Sequence, residues 1–295
     1  DYHGNIKKYF SAKKGLFEKV IGEGSNVTLN IDSQAFDDLS KICKKRKHKV
    51  MTYGEKGGDL QLTNVLDYEK GQIFNFSAFG RKFETSVPFS GKFQIKNLLC
   101  AIGIAIAHGH NIEKIIEVIP KLESIKGRCQ LIARHPNGAK IYLDYAHTPE
   151  ALKEVLSNLR SKIMGGKLYI LFGCGGDRDK SKRIVMGRIA AKFSDGAFIT
   201  DDNPRNENPK KIRKQILAGF LPQTGVMVKE IEKRQKAIKT AISKLKNNDS
   251  LIIAGKGHED YQIIGEEKQK FDDMKITKEE IKKIAKKYKI KKSLE

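Results

Sequence analysis

The sequence predicts an α/β protein whose second half is built around a mostly parallel β-sheet. Four short apolar runs carry this prediction, and each ends in a loop rich in charge and glycine: residues 141–143, 168–172, 197–199 and 251–254. Stretches with helical periodicity alternate with these runs, which is typical of buried parallel strands. In such a sheet the ligand crevice lies outside the carboxyl ends of the strands. We therefore expect the four loops to meet at one edge.

Length and composition favour two domains. A chain of 295 residues, 39% of them hydrophobic, can bury two ordinary cores. No apolar run reaches the roughly 18 residues of a membrane span, and the opening Asp1-Tyr-His-Gly does not resemble a signal peptide. The four cysteines lie far apart and lack the spacing of a zinc site. We therefore expect a cytoplasmic protein without membrane insertion.

The net charge of +22, from 57 basic and 35 acidic residues, raises the question of nucleic-acid binding. The lysines are spread along the whole chain, however, and no aromatic side chains stand among them as a base-stacking platform. A lysine-rich proteome would produce the same excess. We expect no nucleic-acid partner, and the binding of anionic small molecules is the better use of the charge.

The start of the chain has the periodicity of a helix with one apolar face. The apolar residues at this spacing are Ile6, Tyr9, Phe10, Phe17 and Val20. Lys13 falls on the same stripe and is its polar member. On the pattern alone, Lys13 is a lysine whose aliphatic stem covers a half-buried face.

A different pattern follows and indicates a domain boundary. Residues 60–89 alternate with period two, and Gly80-Arg81 is predicted to be the turn of a β-hairpin. Residues 97–107 are apolar nearly all round, which predicts a buried helix, and a second helix from Ile112 should end near Pro120. Strand–helix alternation begins near residue 126. The predicted domains are therefore 1–125 and 126–295.

Helix starts are well marked in the second domain. Thr148-Pro149 and Asn208-Pro209 each combine an N-cap residue with proline at the first helical position. Thr277 and Glu280 have the spacing of a capping box for the last helix.

The loop Asp-Asp-Asn-Pro-Arg at residues 201–205 is the most discriminating of the four. Arg205 offers a planar fork for a carboxylate, and Asp202 can accept hydrogen bonds from an ammonium group. Asn203 can do both, while Pro204 fixes the backbone between them. Together they suit the zwitterionic end of an amino acid. The alternative is an ordinary Asn-Pro turn.

Two further loops are rich in glycine. Residues 173–179 (GCGGDRD) allow close backbone approach to an anion, with Arg178 as a charged contact, but they do not match a dinucleotide fingerprint. Residues 255–260 (GKGHED) offer backbone approach at Gly255 and an acceptor for an amine at Glu259. Each loop alone is also compatible with a simple turn after a strand.

The remaining loop, DYAHTP at residues 144–149, precedes a helix. Asp144 is placed to hold a ribose hydroxyl, or it forms a local turn. His147 lies near a helix N-terminus, which can bind phosphate. Convergence of all four loops on one edge favours a ligand site over separate structural turns.

Together these motifs resemble the C-terminal part of the Mur ligases. The matching segments are Gly127-Arg128, DYAHTP (144–149), FGCGGDRDK (172–180), DDNPR (201–205) and AGKGHEDYQI (254–263), in the family's order and approximate spacing. The resemblance runs from Asp1 to about Phe271. It implies the end of a central ATP-binding domain in residues 1–125 and a Rossmann-like, amino-acid-binding domain in residues 126–295.

The resemblance also implies a reaction, the ATP-dependent ligation of meso-2,6-diaminopimelate to the D-glutamate of UDP-N-acetylmuramoyl-L-alanyl-D-glutamate through an acyl phosphate. In that family the residues of the DNPR sequence recognise diaminopimelate, and lysine-adding relatives lack the arginine. The residues that the resemblance assigns to diaminopimelate are Arg178, Asp202, Asn203, Pro204, Arg205, Gly255 and Glu259.

The resemblance further implies ATP and Mg²⁺ as cofactors. It assigns Asn97, Arg128 and Asp144 to the nucleotide, with His147 close by. Lys13 corresponds to a lysine that is carbamylated in the family. A carbamate replaces a cation by an anionic oxygen ligand suited to Mg²⁺. The resemblance therefore changes Lys13 from a stripe lysine into a predicted metal ligand.

The sequence also departs from the family pattern. It has no GxxxxGK[ST] phosphate loop, and Gln94 stands where the family usually has an asparagine near the adenine. A histidine ligand of the metal is expected just before Asp1. With the missing initiator Met, these departures predict a fragment that lacks the UDP-binding domain. The alternative is an inactive remnant that keeps a diaminopimelate-binding module. We expect a monomer.

Overall fold

The computed structural model describes residues 6–68, 71–220 and 225–292, and the chain divides into two compact units, Asp1–Ser124 and Ile125–Glu295. The strands of the first unit are β1 (Asn26–Asn30), β2 (Lys49–Gly54), β3 (Leu60–Tyr68), β4 (Gly71–Ala78) and β5 (Arg81–Val87). Its helices are α1 (Ile6–Gly15), α2 (Phe36–Lys45), α3 (Lys92–Ala107) and α4 (Ile112–Val118). The sheet has the order β1-β2-β3-β4-β5, with β1, β2 and β3 parallel and the last two pairings antiparallel.

The predicted hairpin is present, with its turn one residue earlier than expected. Ala78 pairs with Arg81, so Arg81 already belongs to β5 and the turn is Phe79-Gly80. Both turn residues have positive φ, 50° and 79°, the geometry of the two-residue turn that matches strand twist. The inward-facing Phe74 and Phe76 pack beneath α3 in one hydrophobic core. That helix is not buried all round, because Ile104 is 48% exposed.

The apolar stripe predicted near the start does not form one buried face. A π-helix occupies Leu16–Val20, directly after α1. A π turn holds more residues than an α turn, so it shifts Phe17 and Val20 out of phase with α1. Phe17 still packs against the small core beside β1, whereas Val20 is 74% exposed. Lys13 is exposed as well, with its Nζ atom 4.6 Å from the ring centroid of Tyr9.

The second unit contains the parallel sheet. Its strands are β6 (Gln130–Arg134), β7 (Lys140–Asp144), β8 (Leu168–Phe172), β9 (Gly196–Ile199), β10 (Met227–Glu230), β11 (Ser250–Ala254), β12 (Tyr261–Ile264) and β13 (Glu267–Lys270). Its helices are α5 (Pro149–Arg160), α6 (Ser181–Phe193), α7 (Pro209–Leu217), α8 (Arg234–Lys244) and α9 (Asp273–Lys292).

The order of the large sheet is β10-β9-β8-β11-β7-β6, and β6 alone in this sheet is antiparallel to its neighbour. The α/β prediction is confirmed. Every residue of β11 is buried, because this strand lies in the middle of the sheet and is covered on both faces. The short hairpin of β12 and β13 forms a separate sheet. The carboxyl ends of β7, β8, β9 and β11 thus share one edge.

Two of the three predicted helix starts are confirmed. The Thr148 hydroxyl accepts a hydrogen bond from Ala151 N, and the Asn208 side chain caps α7 in the same way. The capping box at Thr277 is wrong, because α9 begins at Asp273 and Thr277 is a buried residue inside it. The carboxylate of Asp272 accepts from Lys275 N at 3.0 Å and provides the cap one turn earlier.

The last helix, α9, is also the longest of those described, at 20 residues, and lysines occur throughout it. It contacts α8 and β6, which places it against the second unit's core. Across the described ranges, no helix combines the length and the apolar character needed to cross a membrane.

Candidate functional site

The loops that follow β7, β8, β9 and β11 are tied together at the carboxyl edge of the sheet. The amide of Gly255 donates to Asp144 O at 3.1 Å, which joins the loop after β11 to the loop after β7. The amide of Gly176 donates to Asn203 O at 2.8 Å, which joins the loops after β8 and β9. The convergence predicted from the sequence is therefore present within the second unit.

Two glycines are required where these loops approach each other. A β-carbon on Gly176 would lie 1.8 Å from Pro204 O. A β-carbon on Gly255 would lie 2.7 Å from the Oδ2 atom of Asp202, and φ at Gly255 is +108°. Only a residue without a side chain fits these positions. The closeness of the loops thus depends on glycine at both places.

Both the backbone and the side chain of Arg205 make hydrogen bonds to neighbouring loops. Its amide donates to Ile263 O at 3.1 Å, so the residue bridges to β12 with φ at 49°. The Nη1 atom donates to Gly176 O at 2.9 Å. A β-carbon on Gly175 would lie 2.9 Å from Nη1 of Arg205 and 3.7 Å from Cγ of Arg178. The two predicted arginines therefore flank the same stretch of backbone.

The amide of Asn203 has its orientation set by three hydrogen bonds. Its Oδ1 atom accepts from Lys256 Nζ at 2.9 Å and from Ile263 N at 3.0 Å. Its Nδ2 atom donates to Glu259 Oε2 at 3.2 Å. A carbonyl oxygen has two lone pairs and an amide nitrogen two hydrogens. One N–H of Asn203 therefore remains for a further partner.

Lys256 is a site residue that the sequence analysis did not single out. Its side chain is 0% exposed, and besides Asn203 its Nζ atom contacts Glu259 Oε2 at 3.5 Å. Burial lowers the pKa of Lys256, and the carboxylates of Asp202 and Glu259 act in the opposite direction. The available signal was a lysine between two glycines directly after a buried strand.

Arg234 connects the site to the two helices beneath it. From the first turn of α8 it donates to both carboxylate oxygens of Asp273, at 2.9 and 2.8 Å, and to Ala254 O at 2.9 Å. Its Nη1 atom lies 3.9 Å from Asp202 Oδ2. Because Arg234 and Asp273 are both fully buried, this bidentate pair holds α8, α9 and the end of β11 together. No sequence pattern singles out either residue.

The loop after β8 has its own buried support. Arg183, 0% exposed, donates to both oxygens of Glu207 at 2.9 Å and to Gly175 O at 3.0 Å. Glu207 also accepts from Asp177 N at 2.7 Å. The hydrogen bonds from Arg183 lower the pKa of Glu207 to about 2. The loop that carries Arg178 is thus anchored through Glu207.

Asp144 has a structural role that the turn interpretation anticipated. It is 4% exposed, and its oxygens accept from Cys129 N and Ala146 N, both at 2.6 Å. Burial raises the pKa of Asp144, against the effect of these hydrogen bonds. Contact with a ribose hydroxyl stays a prediction for this carboxylate.

The other predicted nucleotide residues of the second unit surround Tyr145. The guanidinium of Arg128 lies 5.0 Å from the Tyr145 ring centroid, and the His147 ring packs edge-on at 4.7 Å. The ring of His258 lies 5.6 Å from the same centroid. Arg128, His147 and His258 are exposed. They form a surface of aromatic and cationic side chains beside the loops.

The first unit contributes Lys13 and Asn97 to the predicted set. Asn97 is exposed on α3, and its Nδ2 atom donates to Gln94 Oε1 at 3.3 Å, so the unusual Gln94 contacts the residue predicted to bind ATP. Among the described residues, no group of three or more His, Cys, Asp or Glu side chains is arranged to hold a metal ion.

Two family models match the chain, the Mur ligase middle domain over residues 1–105 and the Mur ligase glutamate ligase domain over residues 127–257. The UDP-N-acetylmuramoyl-L-alanyl-D-glutamate--2,6-diaminopimelate ligase of Rickettsia bellii is 40% identical over 277 residues, which are 94% of this chain and 57% of that protein. The chain therefore spans somewhat more than half the length of such relatives.

Solved structures agree with this relationship. One structure of a ligase with the same name is 31% identical, with a TM-score of 0.60, and the match covers 95% of this chain and 57% of that one. The MurF ligase of Thermotoga maritima, solved in complex with ADP, has a TM-score of 0.69 at 17% identity, covering 98% of this chain and 60% of its own. At that identity the second likeness concerns the fold alone.

Proposed function

The chain belongs to the Mur ligase family, and from that premise we propose that it carries the acceptor-amino-acid site of an ATP-dependent ligase. The amino acid is meso-2,6-diaminopimelate, whose amine forms an amide bond with the D-glutamate carboxyl group of UDP-N-acetylmuramoyl-L-alanyl-D-glutamate. The observation that carries the proposal is the convergence of Arg205, Asn203 and Glu259 on one sheet edge.

These side chains complement the end of diaminopimelate that does not react, where L-lysine has an amine but no carboxylate. Arg205 is the partner of the carboxylate, because its fork suits two parallel hydrogen bonds. Asn203 adds its remaining N–H to the same carboxylate. Glu259 takes the ammonium group through its Oε1 atom, since Oε2 already accepts from Asn203. Charge and hydrogen-bond direction thus match at each position.

The remaining residues of the amino-acid set shape the site around these three. Arg178 lies beside Gly175, near Arg205, and adds positive charge toward the carboxylate end. Asp202, close to Gly255, adds negative charge toward the ammonium end. Pro204 is buried and fixes the backbone between Asn203 and Arg205. The resulting polarity favours a zwitterion over a simple amine.

For the nucleotide we propose Arg128, Asp144 and His147 in the second unit and Asn97 in the first. Arg128 and His147 are exposed cationic or titratable groups suited to phosphate or adenine contacts. Asp144 acts mainly by holding its loop. A carbamylated Lys13 supplies one oxygen ligand to Mg²⁺, whose chemistry is to neutralise phosphate charge.

The reaction has two steps in this proposal. The D-glutamate carboxylate attacks the γ-phosphorus of ATP, which releases ADP and leaves an acyl phosphate. The diaminopimelate amine, after losing a proton, attacks the acyl carbon, and inorganic phosphate leaves as the amide forms. By holding the other end of diaminopimelate, Asn203, Arg205 and Glu259 position the reacting amine, and this is the contribution of the site.

Calorimetric titration of the chain with meso-diaminopimelate tests the proposal. We expect saturable one-to-one binding, and Arg205→Ala should weaken it about 10- to 150-fold, the effect of hydrogen bonds to a charged group. L-lysine, which lacks the second carboxylate, should bind the unaltered chain at least about tenfold more weakly. Equal affinity for the two amino acids, or no effect of Arg205→Ala, would contradict the assignment.

A further inference from the structure

Lys256 is a fully buried cation whose charge has no obvious use in a simple turn. A buried ammonium group is unfavourable unless nearby groups compensate it. Its two close partners are Asn203 Oδ1 at 2.9 Å and Glu259 Oε2 at 3.5 Å. Both partners are side chains of the candidate amino-acid site. The buried ammonium group therefore contacts two side chains of that site.

The contact with Lys256 adds to the two other hydrogen bonds that orient the Asn203 amide. Asn203 Oδ1 receives one hydrogen bond from Ile263 N at 3.0 Å and one from Lys256. Without the lysine, rotation of the amide by 180° would lose the hydrogen bonds to Ile263 N and to Glu259 Oε2. With the lysine, the rotated amide would turn an NH₂ group toward an ammonium, which repels it.

The contact with Glu259 has a parallel effect. Lys256 and Asn203 both hold the Oε2 atom, and this leaves Oε1 as the oxygen available to a ligand. Asn203 and Glu259 are also linked to each other, because Nδ2 of Asn203 donates to Oε2 of Glu259. One ammonium group thus orients a donor and an acceptor at the same time.

We propose that Lys256 is a positioning residue that holds the Asn203 amide and the Glu259 carboxylate in the orientations that receive the incoming amino acid. The choice of meso-diaminopimelate as the ligand rests on the proposed function; the orientation of the two side chains does not. Lys256 touches neither ligand nor reacting atoms in this role.

The first test compares Lys256→Met and Lys256→Arg in calorimetric titrations with meso-diaminopimelate. Methionine matches the lysine stem in length but removes the donor, so affinity should fall about 10- to 150-fold. Arginine keeps charge and donors, and it should recover at least half of that loss on a logarithmic scale. If packing alone matters, methionine will bind as well as or better than the bulkier arginine, and the proposal fails.

A double-mutant cycle with Asn203→Ala shows whether Lys256 acts through Asn203. In that background, Lys256→Met should cost clearly less than in the unaltered chain, because residues in one network are not additive. Equal losses in both backgrounds would overturn the proposal. Lys236→Met, which alters an exposed lysine of α8, is the matched control and should leave affinity unchanged. If Lys256→Met does not fold, Lys256→Leu, which also lacks a donor, replaces it with the same expected loss.

A measurement without ligand separates this proposal from the proposed function. The side-chain amide resonances of Asn203 in ¹⁵N-edited spectra should shift in Lys256→Met and not in Lys236→Met. Unshifted resonances would refute the positioning role even if diaminopimelate binds. Shifted resonances together with no binding of diaminopimelate to the unaltered chain would refute the proposed function alone.

Discussion

The predicted site residues of the two units differ in how they are supported. In the second unit Asn203, Arg205 and Glu259 are held by hydrogen bonds from several loops and lie above the buried cations Lys256 and Arg234. In the first unit Lys13 and Asn97 are exposed. The comparison indicates that the predicted amino-acid site is organised within the second unit itself, whereas the residues predicted for ATP and Mg²⁺ in the first unit lie exposed.

The largest expected effect tests the buried support. Arg234→Met should destabilise the second unit by roughly 3–5 kcal/mol, because it leaves the carboxylate of Asp273 buried without its partner. Urea unfolding followed by circular dichroism measures the loss. Lys236→Met on the same helix serves as the control. If Arg234→Met lowers the free energy of unfolding no more than the control does, the second unit's site is not supported by this buried ion pair.

A second test concerns the close approach of the loops. Gly176→Ala places a methyl group against Pro204 O and should destabilise the second unit by about 1–3 kcal/mol, as overpacking does. Gly15→Ala in the first unit adds a methyl group with nothing within 4 Å of it. It should be neutral or slightly stabilising. Thermal unfolding of both variants makes the comparison, and similar melting temperatures would argue against tight loop packing.

A third test uses pH. Glu207 has its pKa lowered from 4.5 to about 2, so its ion pair stabilises the fold above pH 4.5 and loses that effect as pH falls toward 2. The unfolding free energies of the unaltered chain and Glu207→Gln should therefore differ most near neutral pH. The difference should shrink through this acidic range. A constant difference down to pH 2 would show that the pairing with Arg183 does not set the pKa.

The smallest expected effect is in the first unit. Asn97→Ala should change stability by no more than about 0.5 kcal/mol, as exposed substitutions do, and should leave diaminopimelate affinity unchanged. Its predicted consequence is confined to ATP binding. Urea unfolding measures the stability of this variant, and calorimetry measures its affinity for diaminopimelate. A loss of diaminopimelate affinity in this variant would mean that the amino-acid site is not self-contained.

The sequence predicts features that depend on neighbouring residues along the chain. The buried strands, the caps at Thr148 and Asn208, and the polar loops each have a local pattern. The supports of the site do not, because Arg234 and Asp273 are 39 positions apart and Lys256 and Asn203 are 53. Their pairing appears only when the sheet brings the strand ends together. The apolar stripe near the start illustrates the opposite error, since Tyr9 within α1 is 47% exposed and a π-helix at Leu16–Val20 interrupts the periodicity.

The position of β11 has a consequence for how the second unit is synthesised. This strand lies between β8 and β7 in the sheet, yet it follows β6 to β10 in the chain. While the ribosome is still making residues before 250, the pair β6–β7 and the set β8–β9–β10 have no strand to join them. Their apolar inner edges stay open until β11 is inserted, so the nascent chain is exposed to mispairing until that strand has been made. The same event delivers Lys256, so completion of the sheet and assembly of the site coincide.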